Sequence, residues 1–114
     1  MRWFVKLEEG KVDRHQFDQH LQAHLAWVRE LKARGHCPTT GYWQECKGQP
    51  GAGGMLLFLA GSWEEAEAIV RSDPLIQAGS VRWILHEWHV VAGVLGADGD
   101  SGFSWPLSEP GQAS

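Results

Sequence analysis

Apolar and polar positions along the chain follow two periods, and the switches between them mark out the elements. Residues Trp3 to Leu7 alternate, which predicts a first strand. Gly10 to Asp13 form a polar break. Phe17, Leu21, Leu25, Val28 and Leu31 then recur at helical spacing and predict a helix to about Arg34, with Gly35 as its stop. Cys37 to Glu45 read as a second strand, GQPGAGG (48–54) as a flexible connection, and MLLFLA (55–60) as a third strand, apolar on both faces. Ser62 opens a second helix, because SWEE has the capping-box form in which Glu65 reaches back to the cap amide. Trp63, Ala66, Ile69 and Val70 give that helix a buried side. SDPLIQAG (72–79) ends it, since the residue before a proline disfavours the helical region. Asp73 can then cap a short turn that starts at Pro74 and closes at Gly79. SVRWILHEWHVV (80–91) is the last and longest strand.

The order β-α-β-β-α-β predicts an α+β, ferredoxin-like domain: an antiparallel four-stranded sheet with two helices on one face. Two helices leave the other face bare. Yet the third strand is apolar on both sides, and the last carries Trp83 and Leu85 on one side, Ile84 and Trp88 on the other. In a chain of 114 residues a second copy is the simplest cover, so a homodimer is expected. Residues 1–91 form the domain, and 92–114 form a Gly-, Ser- and Pro-rich tail. Within the tail, FSWPL (103–107) is the stretch able to anchor on a neighbour or close over a pocket.

Composition narrows the class without naming a function. Hydrophobic residues are 43% and charged residues 21%, as in an ordinary soluble domain. No apolar run reaches the roughly 20 residues of a bilayer span. MRWFVKLEEG opens directly on strand-like residues, so no signal peptide is expected and the default location is cytoplasmic. The net charge is -4, and from Ala92 on the only charges are Asp98, Asp100 and Glu109. With no basic footprint, nucleic acid is not an expected partner. Cys37 and Cys46 would stand far apart on opposite faces of one strand, which fits unpaired thiols in a reducing compartment.

The candidate chemistry centres on HLQAHLAWV (20–28). His24 sits in the apolar stripe beside Leu21 and Val28, where Leu or Ala would be usual. One reading is a core histidine with a satisfied hydrogen bond. The other is a general base, whose ring a nearby carboxylate orients so that its second nitrogen can take a substrate proton. Asp73 likewise has a purely structural reading as a helix cap, compatible with a second role because a carboxylate has several lone pairs. His20 and His24 share a helical face as two metal ligands would, but no acidic residue lies between them and no third ligand is evident, so no metal is expected. His36 beside Cys37 lacks a second Cys/His pair. His86 and His89 fall on opposite faces of the last strand, one suited to a cleft and the other to a partner. The seven tryptophans are mostly core or interface by volume, with Trp43 and Trp83 able to stack on a flat substrate.

These residues resemble the YCII-related family of small ferredoxin-like proteins of the dimeric α/β-barrel type. AHLAWVREL (23–31) is similar to its first-helix signature, and SDPLIQAG (72–79) to its Asp-Pro landmark with an Ala-Gly step into the last strand. TGY (40–42) occupies the position of a turn that is often Gly-Pro in the family, with Tyr42 in place of the proline. The match covers about residues 2–91. The resemblance implies a cleft between sheet and helices that holds a His–Asp pair, here His24 and Asp73. A dechlorinating member that acts on a hydroxylated aromatic ring implies acid/base chemistry without a cofactor on a small molecule, aromatic or lactone-like. His20 at the rim, Tyr42, Trp43 and Trp83 are the matching candidates for substrate contacts. A non-catalytic ligand-binding or protein-interaction module, and a monooxygenase of the related barrel type, stay open beside it.

Overall fold

The computed structural model describes residues 1–10, 18–48, 53–93 and 95. Most of the polar break, Phe17, the middle of the 48–54 connection and the tail from residue 96 on lie outside the described residues. The elements are β1 (Arg2–Gly10), α1 (Leu21–Ala33), β2 (Thr39–Tyr42), β3 (Gly53–Ala60), α2 (Trp63–Arg71), α3 (Pro74–Gln77) and β4 (Val81–Trp88). The strands form one sheet in the order β2-β3-β1-β4, antiparallel throughout. This is the ferredoxin-like arrangement that the element order implies.

Alternation along the two central strands sorts the side chains between two faces. Phe4, Leu56, Phe58, Ala60 and Leu85 meet Trp27 and Leu31 of α1 and Ala66, Ile69 and Val70 of α2 in the main core. Trp3, Leu57 and Leu59 point the other way and form a smaller cluster with Val5, Cys37, Val90 and Leu95. On that open side Met55, Ile84 and Trp88 remain exposed. The two-sided apolar pattern of β3 therefore has a simple cause. One side carries the helices and the other carries a second apolar cluster with exposed apolar residues beside it.

Local signals set the helix ends. Gly35, at φ +87°, lets α1 close in a Schellman motif, with Gly35 N–H on Lys32 O and His36 N–H on Leu31 O at 3.1 and 3.0 Å. Gly79 closes α3 in the same way. Ser62 Oγ accepts from Glu65 N–H at 3.1 Å, while Glu65 Oε1 accepts from Gly61 N–H at 2.6 Å. The reciprocal bond thus lands one residue ahead of the expected cap amide. Asp73 caps α3 by accepting from Leu75 N–H at 2.9 Å.

Four boundaries differ from the periodicity. Among the described residues α1 begins at Leu21, with His20 as its N-terminal flank. β2 has four residues, not the expected Cys37–Glu45, because Cys37 sits at φ +48°, outside strand geometry. β3 starts at Gly53, ahead of Met55, because Glu8 and Glu9 of β1 pair with Gly54 and Gly53. β4 ends at Trp88, which pairs with Trp3 near the first residue of β1, so the strand runs out of partner there. Trp63 is half-exposed rather than buried, edge-on to Phe4 at 6.2 Å.

Candidate active site

Three elements bring four ionisable side chains together on the helix face of the sheet. α1 carries His24 one turn in from its start, and the corner between α2 and α3 carries Asp73. β1 supplies Lys6 and Glu8, which share the inward parity of Phe4. His24 Nδ1 lies 2.9 Å from Asp73 Oδ1, the same oxygen that caps α3. Lys6 Nζ donates to Asp73 Oδ2 at 2.6 Å and stands 2.7 Å from Glu8 Oε1. The relative exposures of Lys6, Glu8, His24 and Asp73 are 1%, 7%, 5% and 0%, so the whole group is screened from water.

Burial opposes ionisation of Asp73, but the hydrogen bond from His24 and the charge of Lys6 outweigh it and hold its carboxyl below the ordinary carboxylate value. Asp73 is therefore an anion at neutral pH. An ionised carboxylate can only accept, so the hydrogen in the His24–Asp73 contact belongs to Nδ1. In a neutral ring this leaves Nε2 as the nitrogen with a free lone pair. That is the geometry in which an imidazole can remove a proton.

Trp27 secures the arrangement. Its ring centroid is 5.7 Å from that of His24 and 5.7 Å from Lys6 Nζ, a cation–π distance. Its Nε1–H donates to Ser72 Oγ at 2.8 Å, which ties α1 to the residue next to Asp73.

The other sequence candidates fall around this group. His20 is part-buried one turn before His24, and its carbonyl accepts from His24 N–H at 3.0 Å. Tyr42 is exposed at the end of the edge strand. Trp43 Nε1–H donates to the Glu8 carbonyl at 2.9 Å. Trp83 pairs with Glu8 across the sheet and carries the Arg71 guanidinium over its ring at 5.2 Å. His86 shares the parity of Ile84 and Trp88 and belongs to the open face, while His89 lies exposed beyond β4 with Nε2 2.8 Å from Glu87 Oε2. His86 therefore faces away from the dyad, whereas Glu87, the partner of His89, pairs with Phe4 and has helix-face parity. Among the described residues no group of three or more His, Cys, Asp or Glu is placed to hold a metal ion. Cys37 and Cys46 form no disulfide among the described residues.

Lys6 and Glu8 escaped the sequence reading. The signal was there, since the alternation that turns Phe4 toward the helices turns residues 6 and 8 the same way.

No curated protein matches the chain. Among solved structures it is similar to 5-chloro-2-hydroxyhydroquinone dehydrochlorinase from Burkholderia phenoliruptrix in complex with 2,5-dihydroxybenzoquinone. The two share 26% identity with a TM-score of 0.57, over 86% of this chain and 99% of that one. The YCII-related domain model matches residues 1–89, and the chain belongs to the YCII-related family.

Proposed function

We propose that this protein is a cofactor-independent enzyme in which His24, oriented by Asp73, moves a proton on a small hydroxylated ring compound. The observation that carries the reading is the 2.9 Å contact between His24 Nδ1 and Asp73 Oδ1, with Asp73 held ionised. The likeness to a dehydrochlorinase with a bound dihydroxybenzoquinone supports a substrate of that general size and shape. Isomerisation needs a base that takes a proton and returns it at another position. Elimination needs one that takes a proton while the leaving group departs as an anion, and then passes the proton to solvent. One imidazole can do either. His20, Tyr42, Trp43 and Trp83 are assigned to substrate contacts. The working unit is a homodimer in the cytoplasm, joined through the open face of the sheet.

Replacing His24 with Ala tests this directly. Turnover of a panel of halogenated and hydroxylated benzenes should fall by about 10²–10⁴ while circular dichroism stays native. A His24→Ala protein that keeps its turnover removes the assignment. A second reading, a binding module without chemistry, draws on the near-complete burial of both dyad members. It predicts ligand binding without turnover in wild type and a variant altered in affinity alone.

A further inference from the structure

Glu8 presents a problem that the dyad does not solve. It is a carboxylate at 7% exposure, and its Oε1 is fully buried with no aligned hydrogen bond among the described residues. Lys6 Nζ is 2.7 Å from that oxygen, but the contact is an ion pair out of line for a hydrogen bond, and the ammonium donates to Asp73 Oδ2. A buried carboxylate oxygen without a donor is costly, and such exceptions in folded proteins call for an explanation.

The sheet register shows what stands beside it. Along one row of the helix face run Trp83, Glu8, Gly54 and Tyr42. Gly54 contributes no side chain to that row, and none fits, because a Cβ there would meet Gly41 O at 2.0 Å. Glu8 thus has an aromatic residue on one side and a bare backbone position on the other, with a second aromatic beyond. Through Lys6 and Asp73 the same carboxylate is linked to His24.

We infer that Glu8 is a ligand-contacting residue whose Oε1 accepts a hydrogen bond from a hydroxyl of the bound molecule, so that the site selects neutral rings bearing a hydroxyl donor in addition to the group His24 attacks. The inference rests on the reading that His24 meets a ligand. An anionic substituent at this point is disfavoured, because it would add a third negative charge beside Glu8 and Asp73, which share the single ammonium of Lys6. A hydroxyl supplies the missing donor at no charge cost. Hydrogen bonds to ionised acceptors are the strong ones, and loss of this bond should cost about tenfold or more in affinity.

The test compares hydroquinone with 4-methoxyphenol, which lacks one donor, as probes of the full chain. Calorimetry should show wild type preferring hydroquinone by about tenfold or more, and Glu8→Met, which has no oxygen acceptor, losing that preference. In wild type labelled with [13C]glutamate, the Glu8 carboxyl signal should shift with hydroquinone and not with 4-methoxyphenol, a readout that needs no variant to fold. Equal affinities in wild type, an intact preference in Glu8→Met, or an unmoved Glu8 signal overturns the assignment. Ring resonances of His24 separate the two failures. If they shift on binding while Glu8 stays silent, only Glu8 falls; if no probe moves them, the acid–base reading falls with it.

Discussion

Among the described residues Lys6 is the one cation that stands between the two buried carboxylates, and its removal strips both of their countercharge. Lys6→Met would leave Asp73 and Glu8 uncompensated in a dry environment, a loss of about 3–5 kcal/mol by analogy with broken buried ion pairs. Urea unfolding at neutral pH measures it. Asp73 gives a pH signature of defined sign. Its folded value is depressed, so its ionised form stabilises the fold above the ordinary carboxyl range, and that contribution disappears as pH falls through the lowered value. Asp73→Asn should therefore be markedly less stable than wild type at pH 7, with the gap closing below about pH 4. Equal gaps at pH 7 and pH 3 would show that the charge is not what stabilises.

At the scale of elements, most ends were readable from short-range chemistry. Ser62, Asp73, Gly35 and Gly79 each satisfy backbone groups within a few residues, so their roles follow from local sequence. Ser62→Ala should cost about 1 kcal/mol, visible as a lower thermal midpoint with no change at the dyad. The strand limits were less legible. β4 stops where β1 has no more residues to offer, and β2 is cut short by the backbone conformation at Cys37. Both limits depend on a partner strand or a turn that periodicity does not encode.

For the whole molecule, the open face of the sheet is the feature with the largest consequence. Trp3, Leu57 and Leu59 cluster there, and Met55, Ile84 and Trp88 stay exposed beside them. An apolar sheet face of this kind usually marks an interface, and obligate interfaces commonly bury about 2,000 Å² or more. Light scattering should give twice the chain mass at micromolar concentration, and Trp88→Glu should shift the protein to a monomer or an aggregate. A wild-type chain that is a stable monomer under those conditions would refute the dimer.

Period and capping, which act over a few residues, determined the element order, the two-faced sheet and the placement of His24 and Asp73 as candidates. Family resemblance then paired those two across 49 residues of chain. Only the tertiary structure decided that the pair is part of a larger ionic group. Lys6 and Glu8 alternate with Val5 and Leu7 along β1, and that alternation alone does not say which pair turns inward. Whether a charge on a strand points to solvent or into the fold depends on which face the helices cover, and that choice is made by the packing of distant elements. The ionisation of Asp73 is settled in the same way, because the burial that opposes it and the partners that favour it come from β1 and α1 together.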